Sequence, residues 1–258
     1  MFNIDLSNKT ALVCGSSGGI GLASAQILAS LNARVILLAR NENKLQHALL
    51  TLPPNNHKYI VTDLSKQTDI ENLIAQLQEE KIDILINNAG GPAQSLAKDV
   101  KPDEYIKTFN THVIASSVIT QQVINSMIEK KWGRIINIIS VGAKAPIPNL
   151  AVSNTIRGAM LNWSKSLSYE VAKYGITVNN VLPGFTQTIR FEELSVLKAK
   201  DQSISLEEMQ QKLAAMVPMN RIGSAEEVAS AVVFFASPAS SYITGTSLCA
   251  DGGMSSWS

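Results

Sequence analysis

Seven short runs rich in valine, isoleucine and leucine recur along the chain without the polar–apolar alternation of a half-exposed strand. They lie at 10–13, 34–38, 59–62, 82–86, 134–139, 177–181 and 247–249. A strand that is buried on both faces shows no such alternation, because neither face meets water. The runs therefore predict a seven-stranded, mainly parallel sheet with helices on both faces.

The segments between these runs carry the apolar spacing of amphipathic helices, most clearly at 20–31, 66–80 and 225–236. Ser224 and Glu227 have the spacing of a capping box before the last of these helices. Regular alternation of strands and helices predicts right-handed crossovers and a single doubly wound α/β domain over residues 1–258.

One stretch interrupts this alternation. Residues 189–217 are helical in pattern, rich in charge, and stand between a strand and the next regular helix. Insertions of this kind often act as lids over a binding site. We expect this stretch to close over a substrate.

Composition narrows the class of protein further. The 258 residues are 45% hydrophobic, which is enough for a full core, and the net charge of +1 gives no basic surface for nucleic acid. Cys14 and Cys249 have no metal-ligand spacing, so free thiols and no metal site are expected. No apolar run reaches the roughly 18–20 residues of a membrane span, and the first residues do not read as a signal peptide. We expect a soluble, cytoplasmic protein without a membrane partner.

A glycine-rich turn lies between the first predicted strand and the first helix. Its members are Gly15, Ser17, Gly19, Ile20 and Gly21. Glycines there let the backbone approach a pyrophosphate, and the start of the helix supplies unpaired N–H groups. The turn therefore predicts a dinucleotide site, although its spacing, Gly-x-x-x-Gly-x-Gly, differs from the common Gly-x-Gly-x-x-Gly.

Further short motifs follow the later strands in a fixed order. They are Asp63-Leu64, Asn87-Asn88-Ala89-Gly90, Pro183-Gly184 with Thr186 and Thr188, Ile243-Thr244-Gly245 and Asp251-Gly252-Gly253. From about residue 6 to residue 254 the chain resembles the short-chain dehydrogenase/reductase family. The resemblance implies a Rossmann fold that binds NAD(P).

The resemblance also implies which motif meets which part of the cofactor. Asp63 and Leu64 are expected beside the adenine, and Asn88, Ala89 and Gly90 along the cofactor. The family's Pro-Gly…Thr segment cradles the nicotinamide, with a threonine hydroxyl bound to its carboxamide. Here that segment comprises Pro183, Gly184, Thr186 and Thr188.

The end of the second strand indicates which dinucleotide is preferred. Enzymes that prefer NAD place a carboxylate there for the ribose 2′-hydroxyl. In this chain Arg40 follows the strand, and no acidic residue stands with it. A guanidinium pairs well with a phosphate dianion. We therefore expect NADP(H) to be favoured over NAD(H).

The catalytic residues depart from the family pattern. Members of the family use Asn, Ser, Tyr and Lys, and the resemblance places Asn110 and Ser140 at the first two positions. Ser153 stands where the tyrosine is expected, and Arg157 stands where the lysine is expected. A serine hydroxyl is a much weaker acid than a phenol, and arginine does not exchange protons near neutral pH. Arg157 is still expected to bind the nicotinamide ribose.

Another group must then deliver the proton for carbonyl reduction. A water held by Ser140, Ser153 and Asn110 is one candidate, and Lys144 is another. His112 is expected to face solvent or a subunit interface, because residues two apart on a helix face different sides.

A subgroup of the family described as β-ketoacyl carrier-protein reductase-like shares two more motifs with this chain. They stand here as 87–92, Asn-Asn-Ala-Gly-Gly-Pro, and 148–157, Pro-Asn-Leu-x-x-Ser-Asn-x-x-Arg. The resemblance implies an oxidoreductase for a 3-oxoacyl thioester or a related carbonyl. It also implies a homo-oligomer, tetramer or dimer, to which the apolar helix at 113–128 would contribute.

Two other functions remain open from the sequence. The loss of the tyrosine and the lysine would suit a cofactor-binding sensor or partner subunit without hydride transfer. A different reaction on the same fold is the third possibility, because a fold does not fix a chemistry.

Overall fold

A computed structural model describes residues 3–255, and one seven-stranded sheet runs through them. Every neighbouring pair of strands is parallel, and the order is β3-β2-β1-β4-β5-β6-β7. The strands are β1 (Thr10–Cys14), β2 (Arg34–Ala39), β3 (Lys58–Val61), β4 (Ile84–Asn87), β5 (Gly133–Ile138), β6 (Ile176–Pro183) and β7 (Ser247–Ala250). Each predicted run is thus a strand, with ends shifted by two residues at most.

Helices cover both faces of this sheet, which confirms the predicted doubly wound α/β fold. They are α1 (Gly19–Ser30), α2 (Glu42–Leu50), α3 (Gln67–Leu77), α4 (Pro102–Phe109), α5 (Ala115–Lys130), α6 (Ala151–Val171), α7 (Ile189–Gln202), α8 (Leu206–Ala215) and α9 (Ala225–Ala236). None of the helices in residues 3–255 is long and apolar enough to cross a bilayer.

Strand β1 shows why the strand runs lack alternation. Ala11 and Val13 pack against α1, α2 and α9 on one face of the sheet. Leu12 and Cys14 pack against α3, α5 and α6 on the other. Because both faces are apolar cores, every position of the strand favours an apolar residue.

The inserted stretch folds as two helices, α7 and α8, with a small core of their own. Phe191, Ala199, Met209 and Leu213 form its buried centre. A capping box between Ser205 and Glu208 starts α8. The stretch is therefore helical, as its pattern predicts.

A π-helical turn, Asn110–Ile114, joins α4 to α5. The predicted helix at 113–128 begins two residues later, at Ala115. A π-turn adds a residue to one helical turn, so it changes which side chains face inward on either side of it. Turns of this kind are frequent at functional sites.

Candidate active site

The glycine-rich turn lies where the strand order reverses, between β1 and β4. Ligands of open α/β sheets bind at this point, beyond the carboxyl ends of the strands. Gly15 and Gly19 have φ angles of +61° and +55°, which glycine adopts without strain. The side-chain Nδ2 of Asn88 donates to the carbonyl oxygen of Gly15 at 3.3 Å and holds the turn against the loop after β4.

The turn is also packed too closely for side chains at its centre. A Cβ atom on Gly21 would lie 2.2 Å from the carbonyl oxygen of Gly15. The residue before α1, Gly18, provides no side-chain cap, and the first turn of α1 contains no acidic residue. The N–H groups at the start of α1 are therefore open to an anion such as a pyrophosphate.

Arg40 and Asp63, which are predicted to meet the adenosine part of the cofactor, follow β2 and β3. Arg40 is exposed directly after β2, where Asn41 caps α2 by accepting a hydrogen bond from the Lys44 backbone N–H at 2.9 Å. Burial alone would raise the pKa of the Asp63 carboxyl, but hydrogen bonds from Ser65 and the charges of Arg40 and Lys66 lower it overall. Arg40 thus lies close enough to Asp63 to influence its charge.

The segment predicted to meet the nicotinamide begins where β6 ends, at Pro183. A Cβ on Gly184 would lie 2.7 Å from the Cβ of Asp251, so this segment packs tightly on the C-terminal motif. The hydroxyl of the buried Thr186 donates to the Gly184 carbonyl at 3.2 Å. Thr188 caps α7, and its methyl group would be 3.1 Å from a Cβ on Gly19. The start of α7 therefore lies on the glycine-rich turn.

Ser140 follows β5, and Ser153 lies on α6. These two elements frame the other wall of the cleft. The Oγ of Ser140 accepts a hydrogen bond from the Gly142 backbone N–H at 3.1 Å, so the serine proton remains available for a ligand. Ser153 is half-buried in the first turn of α6. Within residues 3–255 its side chain makes no hydrogen bond, which leaves the hydroxyl available as well.

Arg157 lies one turn after Ser153 on α6 and is buried, with 8% of its surface exposed. Its Nη1 donates to the Ile138 carbonyl at 3.1 Å, and its Nη2 donates to the Ala89 carbonyl at 3.4 Å. The guanidinium thus joins the end of β5 to the Asn-Asn-Ala-Gly loop. Burial lowers its pKa to about 10, so it remains a cation at neutral pH.

The structure corrects the expectation that His112 faces solvent or a subunit interface. Asn110 is exposed, and its side chain makes no hydrogen bond within the described residues. His112 is 4% exposed, with its Nε2 placed 3.1 Å from the Gly90 carbonyl oxygen. The π-turn that begins at Asn110 changes the helical phase, so the His112 side chain lines the cleft.

The protonation state of His112 follows from these surroundings. Burial, and after it the charge of Arg157, lowers the pKa of the imidazole to about 3. His112 is therefore neutral near pH 7. A carbonyl oxygen only accepts hydrogen bonds, so the proton is on Nε2 and Nδ1 is an acceptor.

The comparisons with known proteins agree with this geometry. A family model described as enoyl-(acyl carrier protein) reductase matches residues 15–255. The 3-oxoacyl-[acyl-carrier-protein] reductase FabG of Rickettsia conorii is 36% identical over 251 residues, which cover 97% of this chain and 98% of the relative. The chain belongs to the short-chain dehydrogenase/reductase family. It is an oxidoreductase by that membership.

Two solved structures of short-chain dehydrogenases/reductases extend the likeness. YwfH, an NADPH-dependent reductase involved in bacilysin biosynthesis, is 31% identical with a TM-score of 0.90, over 96% of this chain and 98% of that one. L-sorbose reductase from Gluconobacter frateurii, in complex with NADPH and L-sorbose, is 27% identical with a TM-score of 0.92, over 98% of both chains.

The residues of this short-chain dehydrogenase/reductase fit a bound dinucleotide. A side chain at Gly15 or Gly21 would collide with Asn88 or with the Gly15 carbonyl, so the turn needs glycine there, and the open helix start suits a diphosphate. The backbone can thus approach the ligand on one side of the cleft. On the other side of the cleft, the Ser140 hydroxyl follows β5. The Ser153 hydroxyl and the Arg157 guanidinium belong to the first two turns of α6.

Sequence reasoning missed three structural supports of the site. Asn154 holds the loop after Ser140, because its Oδ1 accepts from the Ile147 N–H at 3.2 Å and its Nδ2 donates to the Ile147 carbonyl at 2.9 Å. Ser95 pairs with the start of α6, accepting from Ala151 at 3.1 Å through its carbonyl. Local spacing contains no signal for either contact.

The third support is a row of buried asparagines across the sheet. The Nδ2 of Asn87 donates to the Oδ1 of Asn137 at 2.9 Å, and the Nδ2 of Asn137 donates to the Oδ1 of Asn180 at 3.0 Å. Asn180 then donates to the hydroxyls of Ser164 and Ser247 at 2.8 Å and 3.1 Å. The row ends in the cleft, where the Oδ1 of Asn87 is buried without a partner.

Proposed function

We propose that this protein is an NADP(H)-dependent oxidoreductase that reduces a carbonyl compound, a 3-oxoacyl thioester or a related ketone, through an atypical catalytic site. The observation that carries the proposal is the complete dinucleotide cleft, from the glycine-rich turn to the Thr186–Thr188 segment. The relatives add support, because two of them use NADPH and one reduces 3-oxoacyl groups by name.

The bound cofactor would supply the hydride. Ser140 and Ser153 can donate hydrogen bonds to the carbonyl oxygen, and the Arg157 cation can stabilise the negative charge that develops there. His112 is neutral and donates to the Gly90 carbonyl, so it is not a proton source near pH 7. We therefore assign the proton to a water held by the two serines.

Lys144 is a weaker candidate for proton delivery. It is exposed on the loop after Ser140, and its Nζ lies 3.7 Å from the Sγ of Cys249 on β7. The ammonium group is thus directed toward the edge strand and not toward Ser153 or Arg157.

A panel of ketones and 3-oxoacyl thioesters, followed by the absorbance of NADPH, tests the function. Slow but measurable oxidation that depends on the substrate is expected. If NADPH binds and no carbonyl is reduced, the protein is a cofactor-binding sensor or partner subunit.

Arg40 is expected to select NADP(H). The exposed guanidinium after β2 offers a phosphate partner, and the nearby Asp63 is engaged by Ser65 at 2.7 Å. Replacing Arg40 with Asp should weaken NADPH binding about 10-fold or more, since charge-assisted hydrogen bonds to a phosphate are lost. Fluorescence titration of both reduced cofactors measures this. Equal affinity of the wild type for NADH and NADPH would contradict the assignment.

We propose that residues 189–217 form the lid of the site. Thr188 lies on the glycine-rich turn, and the Nη2 of Arg190 donates to the Pro92 carbonyl in the loop after β4. These contacts connect α7 to both walls of the cleft. Hydrogen exchange should show α7 and α8 becoming more protected with NADPH and a substrate, while α9 is unchanged. Strong protection of α7 and α8 without ligand would argue against a lid.

We also propose a homo-oligomer, a tetramer or a dimer. The apolar residues of α5 are buried or half-buried, so that helix exposes less than its sequence suggests. The exposed apolar side chains lie just before it, with Ile106 at 58%, Phe109 at 38% and Ile114 at 43%. Light scattering should show an oligomer that Ile106→Asp with Phe109→Asp disrupts, whereas Leu50→Asp, at a site 84% exposed, should not. A monomeric wild type at micromolar concentration would exclude the proposal.

A further inference from the structure

The charge of Arg157 has no partner within the part of the chain that the structure describes. No carboxylate in residues 3–255 forms an ion pair with it. The guanidinium is nevertheless only 8% exposed. Buried arginines are ordinarily paired, because an isolated charge inside a protein loses its hydration without compensation.

The hydrogen bonds of Arg157 leave donors for a ligand. A guanidinium has five N–H donors, and within residues 3–255 this one donates to two carbonyl oxygens, those of Ile138 and Ala89. Its Nε makes no hydrogen bond there. Arg157 lines a narrow cleft together with Asn88 and His112.

The neighbours of Arg157 do not neutralise it. His112 is neutral, and its Nε2 is engaged by Gly90. Ser140 and Ser153 supply hydroxyl donors. The Oδ1 of Asn87 is an uncharged acceptor at the floor of the cleft. The ribose hydroxyls that the family resemblance places near this position are also uncharged, so the cofactor would leave the charge unpaired.

We propose that Arg157 binds the carboxylate of the substrate, so that among the carbonyl compounds of the proposed function the protein prefers an oxo acid with an ionised carboxylate to a neutral ester or thioester. The planar guanidinium can donate two hydrogen bonds to one carboxylate, which a lysine ammonium cannot do with the same geometry. This inference rests on the proposed reduction of a carbonyl compound and names the substrate class for it.

A matched pair of ligands tests the proposal. Acetoacetate carries a carboxylate, and methyl acetoacetate carries the same ketone without the charge. Calorimetric titration of each into the protein saturated with NADP⁺ measures binding, because the oxidised cofactor cannot reduce the ketone. We expect acetoacetate to bind about 10-fold or more tightly than the ester, which is the scale of a charge-assisted hydrogen bond.

Variants assign that preference to one side chain. Arg157→Met should abolish the preference for acetoacetate over the ester, while Arg157→Lys should retain part of that preference. Lys165→Met is the matched control, because it removes a cation from an exposed position on the same helix. Thermal unfolding and titration of NADP⁺ show whether each variant is folded and able to bind cofactor.

The outcomes separate this inference from the function on which it rests. If the wild type binds no NADP⁺, the proposed oxidoreductase function fails. If NADP⁺ binds and the wild type does not prefer acetoacetate to the ester, the carboxylate site is wrong and the oxidoreductase function stands. A preference that survives unchanged in Arg157→Met would also overturn the assignment. Should Arg157→Met fail to fold, Arg157→Lys and the two ligands on the wild type still decide it.

Discussion

Replacing Ser153 with Tyr and Arg157 with Lys together is expected to raise turnover of a simple 3-oxoacyl thioester about 10²-fold or more, the usual scale of a positioned general acid. A phenol beside an ammonium group can be tuned toward neutral pH, whereas a serine hydroxyl cannot. The wild type should reduce the same thioester slowly or not detectably. Steady-state rates with saturating NADPH measure the change.

The two substitutions should not be additive. Ser153→Tyr alone should help little, because the Arg157 guanidinium is fixed on the Ile138 and Ala89 carbonyls and does not favour the same phenol position as a lysine. Arg157→Lys alone leaves no general acid. Groups that act as a unit show such coupling in a double-mutant cycle.

Two results would contradict this account. If the wild type already works at ordinary dehydrogenase rates, another residue delivers the proton, and Lys144 should be replaced first. If the double variant binds NADPH and remains inert on every carbonyl, the pocket serves another purpose. His112 beside Arg157 would then be the next side chain to replace.

Gly21→Ala should abolish NADPH binding and lower the free energy of unfolding by about 3 kcal/mol, at the upper end of overpacking effects. The new Cβ would lie 2.2 Å from the Gly15 carbonyl oxygen and 2.9 Å from the Nδ2 of Asn88. The first contact lies within the glycine-rich turn and the second joins it to the loop after β4, so the turn must move. Urea unfolding and fluorescence titration measure the two effects.

Gly18→Ala is the matched control for this substitution. A Cβ at Gly18 meets nothing within 4 Å, and its φ of 171° is open to any residue. Stability should therefore stay within about 1 kcal/mol of the wild type. Loss of NADPH binding by Gly18→Ala would then report contact with the ligand itself. Unchanged stability and binding in Gly21→Ala would show that the turn can relax and that the packing argument is wrong.

The strands and the cofactor cleft were predictable because their signals are local. A strand covered on both faces is apolar throughout. The glycine-rich turn has no room for a side chain at defined positions such as Gly15 and Gly21. The cofactor motifs also follow strand ends, and parallel strands bring those ends to one edge of the sheet.

The positions of Asn110, His112 and Arg157 were harder to predict from the sequence, because they depend on packing. An ordinary helical phase places Asn110 and His112 on different sides and does not reveal the π-turn that buries His112. Arg157 donates to the carbonyl of Ile138, which is 19 positions away along the chain, and to that of Ala89, which is 68 positions away. No pattern within one helix contains that information.

The asparagine row has a consequence for how the sheet is assembled. Each amide donates in the same direction, from β4 through β5 to β6, and pairs residues that face each other in the sheet register. A slip of β5 by one position would place aliphatic side chains opposite the amides of Asn87 and Asn180 and leave several buried polar atoms unsatisfied. Apolar strands alone tolerate such a slip more readily. The row thus fixes the alignment of the three strands. Replacing one asparagine alone would leave a neighbouring amide without its partner, so the three must be replaced together.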